Sequence, residues 1–186
     1  MIIETFKTPI LSLNLSNSFN LKTKIKNIRK KKGRVASNLG GYQSKDLEKN
    51  SVVFLPLLKT IEDKTNYLAR QIGIKNNLKI DNFWINVNFY KDTNMAHSHP
   101  NSIFSGSFYI ETPKDSGSIV FRHPIQSLLD AHWINNIVKY NEFNSSVWKF
   151  VPQENQLLIF PSWLEHYVEP NMNKNQERIS IAFNLK

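Results

Sequence analysis

The spacing of apolar residues changes part-way along this 186-residue chain. Residues 2–8 alternate weakly, which predicts an edge strand. Phe19, Leu21, Ile25 and Ile28 recur at three or four, with one step of two, and predict an amphipathic helix within Asn17–Lys32. Gly33 and the Gly40-Gly41 pair break the chain after that helix, so 33–50 reads as a loop. Pro56 suits the first turn of a second helix. Leu57, Leu58, Ile61, Leu68, Ala69 and Ile72 mark its apolar face, and Gly73 lies near its end.

After Asn77 the period falls to two. Residues 79–90 read as a strand, with Trp84, Asn86 and Asn88 on one face and Phe83, Ile85, Val87 and Phe89 on the other. Further strands are predicted at 105–111, 117–122, 147–151, 156–160, 166–169 and 177–185. Turn signals such as Thr112–Gly117, Pro152–Asn155 and Pro161-Ser162 separate them. Helices followed by many short strands predict an α+β, mainly β chain. The whole of 1–186 reads as one domain, with a strand and supporting helices over 1–78 and a sandwich or barrel over 79–186.

Composition narrows the classes. Cysteine is absent, which excludes a disulfide framework and a thiolate metal site. The start, Met1-Ile2-Ile3-Glu4-Thr5, lacks the layout of a signal peptide, and no apolar run approaches the roughly 20 residues of a membrane span. The reading is a soluble, cytoplasmic protein. Residues 1–50 hold eleven Lys/Arg against three Asp/Glu, so nearly all of the formal +9 lies there, centred on Arg29-Lys30-Lys31-Lys32-Gly33-Arg34. Such a cluster fits an acidic or nucleic-acid partner, or a solvated basic helix end. No aromatics interleave it, as single-strand binding would want.

The candidate chemistry begins at His97-Ser98-His99. Strand side chains two apart share a face, with Cα atoms roughly 6.5–7 Å apart, which suits two imidazoles on one metal ion. The bland reading is a pair of exposed histidines beside a turn. A third histidine, His166, comes after an apolar strand and a Pro-containing turn, Leu157–Glu165. On the last strand Arg178 and Ser180 face one way, and Ile179, Ile181 and Phe183 the other. An Arg on an otherwise interior face needs an anion; a carboxylate against its fork supplies one, and Ser180 can add a hydrogen bond.

Six motifs now stand in order: Trp84–Asn88, His97–Ser102, Ser105–Tyr109, Gly117–Phe121, Phe160–His166 and Arg178–Asn184. Together they resemble the double-stranded β-helix iron(II)/2-oxoglutarate oxygenases, more narrowly a small branch from bacteria and phages. The resemblance covers about 84–184; residues 1–80 share only the looser likeness of helices bracing the barrel. It implies a jelly-roll, cupin-like barrel in the cytoplasm of a bacterium or phage-infected host. It also implies Fe(II) as the metal and 2-oxoglutarate and dioxygen as cosubstrates, with hydroxylation of an unidentified substrate.

Carried over by position, His97 is the first metal ligand, His99 stands where the family has a carboxylate, and His166 is the distal ligand. Arg178 and Ser180 match the pair that holds the far carboxylate of 2-oxoglutarate. Tyr109 lies on a strand that often offers a Tyr to it, and Asn88 on one that tends to face the cosubstrate.

The missing carboxylate is the departure, since the common iron motif is two His and one acid. A shifted pair, His99 with Asn101, would place a neutral amide there, a poor ligand. Among other candidates, Glu165 should face away from its neighbour His166, and His123 and His132 read as surface residues. Two alternatives stay open: a cupin-like metal barrel without 2-oxoglutarate turnover, and a nucleic-acid module using 22–34. Loops 33–54, 91–105 and 122–147, where specificity would reside, carry no readable code.

Overall fold

A computed structural model describes residues 1–15, 19, 21–75 and 77–186. In chain order the elements are β1 (Leu11–Asn14), α1 (Lys22–Ile28), β2 (Asn38–Leu39), β3 (Tyr42–Gln43), α2 (Leu55–Gln71) and β4 (Ile80–Asn88). Then come β5 (Thr93–His97), β6 (Phe104–Glu111), β7 (Ile119–Arg122), α3 (Gln126–Trp133), β8 (Val147–Phe150), β9 (Gln156–Pro161), β10 (His166–Val168) and β11 (Arg178–Leu185). The strands form two antiparallel sheets, ordered β1-β9-β6-β11-β4-β3 and β2-β5-β10-β7-β8. This is the expected double-stranded β-helix, or jelly roll, with helices outside it.

The alternation along the strands assigns each face. Phe83, Ile85 and Val87 of β4, with Ile179, Ile181 and Phe183 of β11, pack outward against Leu57, Leu58 and Ile61 of α2 and Ile25 of α1. A second cluster, Tyr109, Ile119, Phe121, Leu158, Phe160 and Leu164, lies between the sheets. The six-stranded sheet is thus buried on both sides. The N-terminal helices share a core with the barrel strands, since Leu21 and Ile25 belong to the cluster that contains Phe108 and Leu157.

Several boundaries differ from the periodicity. Residues 2–8 form no strand; the edge strand is Leu11–Asn14, held by β9 through the register Leu11↔Ile159. The first helix is shorter than expected, and Asn17, Ser18 and Asn20 lie outside the described residues. The predicted loop 33–50 contains β2 and β3, which belong to different sheets. Gly40 and Gly41 make that crossing with φ of 73° and 66°, in the left-handed region glycine favours. A Cβ on Gly40 would fall 2.0 Å from an Asp92 carboxylate oxygen. The expected second helix is present, with Pro56 in its first turn and Gly73 (φ 73°) past its end. Segment 122–147 holds α3, none of whose residues is buried.

Phe183 is fully buried and meets the outer cluster from the centre of the sheet. Phe183→Ala should cost about 3–5 kcal/mol in urea unfolding. A loss below about 1 kcal/mol would mean that the outer core does not depend on this ring.

Candidate metal and anion site

Strand register brings the chemistry together. His97 at the end of β5 is the Cα partner of His166 at the start of β10. On the six-stranded sheet Arg178 lies opposite Asn88, and Ser180 lies between Asn86 and Tyr109. Residues paired across strands share a face, so these side chains meet. His97, His99, His166, Arg178, Ser180, Tyr109 and Asn88 all line one cavity between the sheets.

One ligand atom from each of His97, His99 and His166 lies within 4.8 Å of the others. The ring centroids are 4.9, 4.5 and 5.2 Å apart. His99 lies just past β5, where its backbone N–H donates to Ser162 O at 2.9 Å. The turn carrying Ser162 is fixed from below: Ser162 Oγ and Ser105 Oγ are 2.7 Å apart, and Ser105 donates to Asn184 Oδ1 at 2.7 Å.

The histidine tautomers are set by their partners. His97 Nδ1 donates to Met95 O at 2.7 Å, and His166 Nδ1 donates to Leu164 O at 2.9 Å. A carbonyl only accepts, so each Nδ1 carries the proton and each Nε2 keeps its lone pair for a metal. Burial is the main cause that holds all three imidazoles neutral. It lowers His97, lowers His99 to about 4 with help from the charge on His97, and lowers His166 to about 3. The set therefore fits a divalent ion that accepts imidazole nitrogen, with no carboxylate among the cavity-lining residues to supply negative charge.

Arg178 is the other pole. It is 1% exposed. Its Nη1 donates to the backbone carbonyls of Ser116, Gly117 (3.3 Å) and Glu169 (3.1 Å). Its Nη2 is buried and unpartnered. Burial pulls its pKa down, but an arginine stays charged at neutral pH. The carbonyl cradle needs Gly117, whose φ is 81°; a Cβ there would meet Glu169 O at 2.5 Å and Pro170 O at 2.6 Å. Burial also pushes the Tyr109 hydroxyl up to about 12, so it remains a hydrogen-bond donor.

Other residues complete the cavity wall. Trp84 lies 5.9 Å from the His99 ring, and the Arg34 guanidinium lies 5.3 Å from the ring of the same indole. Asn86 lines the cavity with a buried, unpartnered Oδ1. Asn94 and Ser37 complete a wall in which Asn88 Nδ2 donates to Asn94 Oδ1 at 3.4 Å. Asn171, fully buried, donates to Asn88 O and Gln176 O and so ties the loops around Arg178. Only the alternation of β4 could have flagged Trp84 and Asn86; the loop asparagines obey no period.

Other sequence candidates lie elsewhere. Asn101 is exposed in a turn with φ 65° and does not line the cavity. His123 and His132 are exposed, and Glu165 faces outward to Arg122 at 2.7 Å. Two arginines of the basic segment are ion-paired within the chain. Arg29 pairs with Glu177 at 2.6 Å and Arg34 with Asp46 at 2.8 Å, leaving Lys30, Lys31 and Lys32 exposed. Among the described residues no helix is long and apolar enough to cross a membrane.

Residues 82–184 match the model of a family described as "Putative 2OG-Fe(II) oxygenase". No curated protein matches the chain by sequence. Among solved structures, the chain resembles a 2OG-Fe(II) oxygenase-family oxidoreductase from Burkholderia pseudomallei, with 14% identity, TM-score 0.62 and coverage of 95% of this chain and 84% of that one. It resembles HygX from Streptomyces hygroscopicus, a structure holding nickel and 2-oxoglutarate, with 12% identity, TM-score 0.64 and coverage of 96% and 82%. A prolyl-4-hydroxylase from Pseudomonas putida gives 11% identity, TM-score 0.63 and coverage of 96% and 92%. At these identities the structures report a shared fold.

The neutral histidines set a pH dependence for the metal-free protein. Between the ordinary value of 6.5 and the depressed value of about 3 for His166, the unfolded chain binds more protons than the folded one. Stability should be complete above that window and fall as pH drops through it. Urea midpoints at about pH 7.5 and about pH 5 should differ in the wild type and differ less in His166→Gln. Equal differences in the two proteins would remove His166 from this account.

Proposed function

The chain belongs to this 2OG-Fe(II) oxygenase family, and from that premise we propose that it binds one Fe(II) through His97, His99 and His166 and takes 2-oxoglutarate as its cosubstrate. The coupled reaction is hydroxylation of a second substrate. The observation that carries the cosubstrate reading is the half-satisfied guanidinium of Arg178, set in a cavity with no acidic lining residue. A buried cation without a counter-anion is costly, and a carboxylate is the natural partner for its open edge.

Each residue then has a task. His97 and His166, oriented through their Nδ1 hydrogen bonds, present Nε2 to the ion. His99 completes the set without adding charge. Arg178 Nη2 takes the far carboxylate of the diacid, with Ser180 and the protonated Tyr109 as further donors. Asn88 faces the same space from the neighbouring strand. Phe160, Ile119 and Val168 line the cavity with apolar surface and limit water. The bound metal supplies the oxidative chemistry, in which 2-oxoglutarate and dioxygen give succinate and carbon dioxide as the substrate is oxidised.

Two measurements test this. Alanine at His97, His99 or His166 should each reduce bound Ni(II) or Fe(II) to near background with the fold intact by circular dichroism. Full occupancy in His99→Ala, with loss in Asn101→Ala, would replace His99 by the shifted pair. Arg178→Met keeps much of the packing and removes the fork. Anaerobic calorimetric titration of the metal-loaded variant with 2-oxoglutarate should show a loss of about 2–5 kcal/mol, the usual cost of truncating one side of a buried charge pair. Metal affinity should stay unchanged. Equal binding by both proteins, or none by the wild type at millimolar levels, would favour the metal barrel without 2-oxoglutarate turnover.

A further inference from the structure

We infer that Arg29 is a positioning residue for the anion-binding end of the cavity: from outside the six-stranded sheet, it pins the strand rung that carries Arg178 and Asn88 inside. The inference rests on the cosubstrate reading of Arg178.

Arg29 is the first residue past α1. Its guanidinium makes two hydrogen bonds to one carboxylate, Nη1 to Glu177 Oε2 at 2.6 Å and Nη2 to Glu177 Oε1 at 2.9 Å. The same guanidinium lies 5.5 Å over the ring of Phe89. Glu177 and Phe89 are the chain neighbours of Arg178 and Asn88, which are Cα partners across β11 and β4. Successive residues of an extended chain point to opposite sides. Arg178 and Asn88 therefore line the cavity, while Glu177 and Phe89 meet Arg29 on the helix side. One side chain thus holds the residue before Arg178 on one strand and the residue after Asn88 on its partner.

The rest of α1 supports that grip. Lys22, at the other end of the helix, pairs at 3.0 Å with Glu111, which is the Cα partner of Ile179 on the opposite flank of β11. Ile25 anchors the helix between these two pairs in the outer core. The hydrogen bond to Glu177 is the main cause that raises the Arg29 pKa, so the guanidinium stays charged at neutral pH.

The clamp has two effects on the cavity. It fixes the start of β11, just after the 169–177 loop, and so sets the direction in which Arg178 Nη2 points. It also holds the Glu177 carboxylate on the outer side, one residue from the buried cation, leaving Arg178 open to an external anion. Lys30, Lys31 and Lys32 are exposed and take no part in this contact.

The test uses the full chain loaded with Ni(II), titrated with 2-oxoglutarate by calorimetry, with Ni(II) affinity and thermal midpoint measured in parallel. Arg29→Met should raise the Kd for 2-oxoglutarate about fivefold, the order expected of a part-exposed ion pair, with Ni(II) affinity unchanged. Lys31→Met should match the wild type. The exchanged pair, Arg29→Glu with Glu177→Arg, should recover part of the loss. A wild-type Kd in Arg29→Met overturns the clamp and leaves the cosubstrate reading standing. Equal losses of nickel and 2-oxoglutarate affinity, or no recovery in the exchanged pair, also overturn it, because the residue would then act only through general stability. A wild type that binds no 2-oxoglutarate removes the cosubstrate reading and this inference together.

Discussion

The guanidinium of Arg178 is held at Nη1 by three backbone carbonyls, and its Nη2 has no partner among the described residues. It cannot shed its charge at neutral pH, and taking an ion out of water costs several kcal/mol even after relaxation. Carbonyl dipoles offset part of that cost. They do so only because Gly117 takes a left-handed backbone that a side chain would block, and because the 169–177 loop is drawn in by the amide of Asn171. The three uncharged imidazoles add no compensating negative charge. The interior is therefore electrically biased before any ligand arrives, and that bias is a property of the fold.

That bias is tolerable because the rest of the molecule is firmly packed. The six-stranded sheet has helices against one face and the smaller sheet against the other, so β9 and β11 are buried along most of their length. A strand covered on both faces cannot slip by one residue without exchanging its apolar and polar sets. On β11 such a slip would turn Arg178 outward and Ile179 into the cavity. The same burial that stabilises the barrel thus keeps the cation on its side.

The site was more legible than the frame. The alternation of β4 and β11 assigns every residue to a face, so Arg178, Ser180 and Asn88 could be placed from spacing alone. Histidines are few, and a pair two apart plus a third in a turn is an unusual pattern. Elsewhere the signal pointed the wrong way. Ile2, Ile3 and Phe6 are apolar yet exposed, and the edge strand forms further along the chain because its partner, β9, lies far off in sequence. β5 forms within the stretch 91–105 that read as a loop; it buries Asn94 and exposes Met95, so no apolar alternation marks it. α3 buries nothing, so no stripe marks it. The pairing of Arg29 could not be read from the basic segment, because Glu177 is 148 positions away.

The crossing at Gly40-Gly41 has a mechanical consequence. β2 is the terminal strand of the smaller sheet and β3 the terminal strand of the larger, and two glycines join them. At the opposite margin β1 and β8 end their sheets, and the turn 151–155 joins β8 to β9, the neighbour of β1. The two sheets are thus bound by a short covalent link at each margin. The histidine-bearing strand β5 pairs with β2 beside the glycine link, so the metal-binding margin is tied to the larger sheet through that crossing.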